Sequence, residues 1–93
     1  MPALNSQQVT EQLKKLDGWG LKGSEIIKSY SLKDFHETMS FVNAIAYIAN
    51  REDHHPDMEV GYNKCTVRFS THSAGGLTEN DFRCAAKVDA LLK

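Results

Sequence analysis

Three of the four histidines in this 93-residue chain fall between His54 and His72, each at the edge of a patterned segment and outside any amphipathic stripe. His54 and His55 follow Glu52 and Asp53, and Pro56 biases His55 toward extended backbone. An unperturbed imidazole titrates near about pH 6.5, so it can give or take a proton at neutral pH. Imidazoles beside carboxylates point to general acid–base work on a small polar substrate. Asp81 adds a carboxylate in the first turn of an expected helix beyond Gly75-Gly76, where free backbone N–H groups supply further donors. No Ser or Cys stands in a glycine-flanked elbow after a strand, so no nucleophile for covalent catalysis is visible. A metal held by Asp53, His54, His55 and His72 is conceivable. Adjacent histidines on extended backbone point to opposite faces, however, and the spacing fits no standard zinc pattern. Spacing alone leaves a structural reading equally open, in which His54 caps a helix C-terminus and Asp53 and Asp81 are solvated or capping carboxylates. His36 reads as a surface residue without a role.

The elements that must position these residues follow from periodicity. Asn5 or Ser6 can cap a first helix carrying Val9, Leu13 and Leu16, stopped at Asp17-Gly18. Trp19 to Lys22 and Glu25 to Ser31 read as a hairpin across Gly23-Ser24. Ser31 with Asp34 is an acidic variant of a capping box. It precedes a long helix with Phe35, Met39, Val42 and Ala46 on one face. A second stripe, Phe41, Ile45 and Ile48, marks either a deeply buried helix or a face shared with another subunit. After Pro56, Met58 to Tyr62 and the alternating Cys65, Val67 and Phe69 form a second hairpin with its turn at Asn63-Lys64. Thr78 and Asp81 then open a final helix with Phe82, Ala85, Val88 and Leu92 inward.

The order is α-β-β-α-β-β-α, which predicts an α+β fold: an antiparallel sheet with helices on one face. A hairpin brings its outer ends together, so the start of the third strand and the end of the fourth share one end of the sheet. His54, His55 and His72 converge there, with Asp81 nearby.

Size and charge narrow the function further. Residues 1–93 make one domain without linker, repeat or low-complexity tract. A domain this small stands to gain stability by self-association, so a homo-oligomer is expected. The net charge of −1 and the absence of a Lys/Arg stripe argue against direct nucleic-acid binding. Neither a leader-type N-terminus nor an apolar run of membrane-spanning length is present. The expectation is a cytoplasmic protein with no membrane partner, in which Cys65 and Cys84 are free thiols.

Asp53-His54-His55-Pro56, followed after five residues by Tyr62, after nine more by His72 and after eight more by Asp81, closely resembles the pterin-4a-carbinolamine dehydratase family. Tyr62-Asn63-Lys64, Ser70-Thr71-His72, Gly76-Leu77, Asp17-Gly18-Trp19 and Leu32-Lys33-Asp34-Phe35 are also similar to it, so the resemblance covers most of the chain. It implies a four-stranded antiparallel sheet and a homodimer or homotetramer. It also implies conversion of 4a-hydroxytetrahydropterin to quinonoid dihydropterin, downstream of the aromatic amino acid hydroxylases that form it, in tetrahydrobiopterin recycling. Carried over by position, His54, His55, His72 and Asp81 are the catalytic set. Asp53, Pro56, Trp19, Ser70, Thr71 and Ser73 contact the substrate. No metal or redox cofactor is implied, because the pterin is the substrate. The resemblance also carries a non-enzymatic alternative: a dimerisation cofactor for a transcription factor, or an assembly factor for another enzyme, acting through the helical surface. The chain departs from the family in having Asn50 where an acidic residue is common four positions before the histidine pair.

Overall fold

The computed structural model describes residues 2–93. Its elements are α1 (Ser6–Lys14), β1 (Gly20–Lys22), β2 (Glu25–Ser31), α2 (Phe35–Glu52), β3 (Asp57–Val60), β4 (Lys64–Phe69) and α3 (Glu79–Ala90), with one 3-10 turn at His72–Ala74. The expected order of elements is the observed one. All strand pairs are antiparallel, in the order β1-β2-β4-β3, so the two hairpins meet along a central β2–β4 seam running from Ile26 opposite Phe69 to Ser31 opposite Lys64.

Strand alternation assigns the two faces. Ile26, Tyr30, Cys65, Val67 and Phe69 point into the core with Val9 of α1, Phe41 and Ile45 of α2, and Phe82, Ala85 and Val88 of α3. The opposite face is polar: the Ser29 and Thr66 hydroxyls pair across the seam at 2.8 Å, and Arg68 pairs with Glu59. All three helices therefore cover one side of the sheet. No helix among the described residues is long and apolar enough to cross a membrane.

The helix ends are fixed by local polar chemistry. Asn5 and Gln8 form a reciprocal capping box on α1, each side chain accepting the other's backbone N–H at 2.9 Å. The α2 cap is Asp34, which accepts the Glu37 N–H at 2.8 Å, and not Ser31. The core-facing side of α2 follows the second expected stripe, through Phe41 and Ile45, and not the first. Thr38, Phe41, Ile45 and Ala49 face the core, whereas Phe35 is exposed and Met39 and Val42 are half-buried. Thr38 can be fully buried because its hydroxyl meets the Asp34 and Tyr62 carbonyls at 2.8 and 2.9 Å. A pattern built from apolar residues alone skips Thr38, which makes the Phe41 and Ile45 face look the lesser of the two. At the other end of the chain, Leu92 lies past the end of α3 and is exposed, not inward. The third strand is shorter than expected as well. It ends at Val60, and Gly61 closes the turn through its N–H to the Lys64 carbonyl, leaving Tyr62 at the exposed tip.

Candidate active site

The centre of the site is Asp81, at the third position of α3. Thr78 caps this helix, and the Asp81 carboxylate reaches back to accept the Thr78 N–H at 2.9 Å, closing a capping box. The same Oδ2 accepts the Thr71 hydroxyl at 2.8 Å. The side chain is fully buried, where an unpartnered carboxylate would be costly, and its remaining oxygen, Oδ1, accepts from His54 Nε2 at 2.5 Å.

His54 reaches Asp81 because α2 ends in a sharp turn. Asp53 adopts a left-handed conformation with φ of 52°, and the N–H groups of Asp53 and His54 both end on the Ala49 carbonyl. Asp tolerates this region better than most residues, so the chain leaves the helix axis without a glycine. The His54 ring then lies nearly parallel to Phe69 of β4, with 6.0 Å between centroids and 12° between planes. One side of the imidazole is thus packed against an aromatic ring, one nitrogen is held by a buried carboxylate, and the side chain keeps 12% exposure. An ionised carboxylate only accepts hydrogen bonds, so the neutral imidazole paired with it carries its proton on Nε2 and leaves Nδ1 as a free acceptor.

His54 opens onto a depression of about 290 Å³, also lined by Asn50, Asp53, His55, Pro56 and Met58. Of the residues singled out in the sequence, His54 and Asp81 are in direct contact, while His55, Asp53 and Pro56 share the depression with His54. Asn50, the position that departs from the family pattern, lies on its wall. His72 and Ser73 are exposed on the loop after β4. The feet of that loop are tied by paired backbone bonds between Thr71 and Gly76 at 3.2 and 3.3 Å.

Three residues expected at the substrate have side-chain polar groups committed elsewhere. Trp19 is buried in the core beside Tyr30 and Phe69, and its indole N–H donates to Asp89 at 3.1 Å. The Ser70 hydroxyl donates to the Ser24 carbonyl at 2.9 Å, fastening the end of β4 to the first hairpin. The Thr71 hydroxyl is turned onto Asp81. Two members of the cluster, Thr78 and Phe69, were read only as a helix cap and a strand residue. A Thr three residues before a buried Asp signals the first role but not the second. Both thiols are free and buried, which raises Cys65 and pushes Cys84 up to about 11, away from thiolate chemistry at neutral pH.

The family model described as Pterin 4 alpha carbinolamine dehydratase matches residues 2–91. The chain belongs to that family. Family relatives include a Nitrosospira multiformis protein, 54% identical over 93 residues that span all of this chain and 82% of the relative. A Legionella pneumophila (strain Corby) protein is 58% identical across 97% of this chain and 82% of its own. Both are named as candidate pterin-4-alpha-carbinolamine dehydratases. The crystal structure of a transcriptional coactivator/pterin dehydratase from Brucella melitensis superposes with a TM-score of 0.93 at 35% identity, over 98% of this chain and 99% of that one. A pterin dehydratase-like protein identified as a RuBisCO assembly factor aligns at a TM-score of 0.65 and 23% identity, over 78% of this chain and 84% of its own, a likeness of fold alone.

Proposed function

We propose that this member of the pterin 4 alpha carbinolamine dehydratase family removes water from the 4a-carbinolamine of a tetrahydropterin, with His54 as the principal proton-transfer group. The observation that carries this reading is the His54–Asp81 pair, an imidazole held by a buried carboxylate at the wall of an open depression. The reaction breaks the C4a–O bond, forms the N5–C4a double bond, moves the N5 proton to a base and adds a proton to the departing oxygen. Water leaves, and the quinonoid dihydropterin remains. His54 takes the N5 proton on Nδ1, because Nε2 is committed to Asp81. Asp81 orients the ring and stabilises the imidazolium that forms. His55 or His72, both exposed at this end of the sheet, protonates the departing oxygen. The protein need supply only proton transfers, loss of water involves no net oxidation or reduction, and the pterin itself is the substrate, so the reaction requires neither metal nor redox cofactor. In this reading the enzyme returns the hydroxylated pterin to the quinonoid dihydropterin, which a separate reductase must reduce before it can serve aromatic hydroxylation again, and it works in the cytoplasm as a homo-oligomer.

The test follows a chemically generated 4a-hydroxytetrahydropterin by absorbance with wild type and His54→Ala. Wild type accelerates its decay, and His54→Ala loses on the order of 100- to 10,000-fold of that acceleration. Equal rates for the two proteins would remove His54 from its role. No acceleration by wild type would move the function to the helical surface, as a protein-binding cofactor or assembly factor.

A further inference from the structure

We propose that Thr71 and Thr78 are positioning residues that set how strongly Asp81 holds the His54 proton, through a hydroxyl relay with one direction. The bond directions follow from proton counting. Thr78 is fully buried, and Thr71 Oγ1 is the oxygen its hydroxyl meets, at 3.0 Å. The single Thr78 hydroxyl proton therefore goes to Thr71, while the Thr78 oxygen accepts the Asn80 N–H at 3.3 Å. Thr71 then has its own proton free for Asp81 Oδ2, 2.8 Å away. The sequence Asn80 N–H to Thr78, Thr78 to Thr71, Thr71 to Asp81 is the arrangement that satisfies every buried group. It ends on the carboxylate that holds His54.

Each donor on a carboxylate stabilises its charge and weakens its attraction for a neighbouring imidazolium. The relay is therefore a setting on the basicity of His54. It is separable from the fold, because Thr71 is anchored by its backbone bonds to Gly76 whatever its side chain does. The other titratable groups near the pair are Glu52 and Asp53 at the end of α2, His55 along the depression, His72 on the loop and, from α3, the buried Cys84 thiol, which feels the charges of Glu52 and Asp81. From β4 the ring meets Phe69, which has no charge.

The dehydratase reading supplies one arm of the test and is not needed for the other. The imidazole proton resonances of His54 are titrated by NMR in wild type, Thr71→Val and Thr71→Ser, and the pH–rate profile of dehydration is recorded for the same proteins. Thr71→Val keeps the branched shape without the donor. It is expected to move the His54 titration upward by about 0.5 to 1 pH unit, with the rate limb that depends on the free base moving the same way. Thr71→Ser restores the wild-type titration. Thr71→Cys, a weaker donor of similar size, falls between them and supplies the reading if the Val variant does not fold. An unmoved titration in Thr71→Val or Thr71→Cys, or an equal shift in Thr71→Ser, overturns the relay. A chain that shows the titration shift without turnover keeps the relay and sinks the dehydratase reading.

Discussion

Asp81 and Asp89 lie eight residues apart on α3, both buried, and each satisfied by three donors, yet they face different partners. Asp89 accepts the Lys28 ammonium at 2.8 Å, the Trp19 indole N–H at 3.1 Å and the Tyr30 hydroxyl. Burial, followed by the bond to Asp89, drives the Tyr30 phenol upward, and the Trp19 indole N–H is a donor only. Asp81 has two fixed donors and one imidazole, which opens onto a depression. The same residue type on the same helix thus serves cohesion in one place and, in the proposed reaction, proton transfer in the other. What differs is whether a partner can release its proton.

The sharpest way to break this contrast is to neutralise each carboxylate in turn. Asp89→Asn leaves the Lys28 charge without its counter-ion and should cost about 3 kcal/mol in urea unfolding, with the rate of the folded fraction unchanged. Asp81→Asn should lower the dehydration rate on the order of 100-fold while costing about 1–3 kcal/mol of stability for the altered acceptor. A large rate loss in Asp89→Asn, or none in Asp81→Asn, would erase the distinction.

Acid sharpens it further. Burial alone would raise the Asp89 carboxyl, but its bonds from Lys28, Tyr30 and Trp19 outweigh that and hold it below the usual carboxylate range. A folded-state value below the unfolded one means that the stabilisation is present above the unfolded value, roughly pH 3.9, and is lost as pH falls through the folded value. Urea midpoints measured by circular dichroism from pH 6 downward should therefore drop steeply below about pH 4 in wild type and less steeply in Asp89→Asn. Equal slopes would show that Asp89 adds nothing to acid sensitivity.

The smallest effect expected is at the turn that delivers His54. Asp53→Gly relieves the left-handed conformation and should raise stability by about 0.5 kcal/mol in urea unfolding. A slower enzyme would mean that the Asp53 carboxylate acts within the depression.

The element order, both hairpins and the His54–Asp81 neighbourhood were legible because they rest on short-range signals: alternation at Cys65, Val67 and Phe69, the Thr78 cap, and the rule that hairpin ends meet. The knot at Asp89 was not legible. Its partners stand 59 to 70 residues away, and no spacing rule joins Trp19, Lys28 and Tyr30 to a carboxylate on the last helix. For the same reason Trp19 read as a substrate contact, since an aromatic residue in a matching motif does not reveal that its N–H is already used. Thr71 was found through its motif, but its direction toward Asp81 depends on how α3 docks.

The central seam has a consequence for how the molecule assembles. Each hairpin closes a short loop and can form in about 1–10 μs, whereas pairing Ile26 with Phe69 must draw together chain separated by the whole of α2. The late event is therefore the zipping of two preformed ribbons, with α3 settling across them. A chain arrested just before that step would already display its histidine pair but lack the carboxylate that holds His54. Recovery of dehydratase activity during refolding should therefore lag the return of β-structure, and the length of that lag would time the closing of the seam.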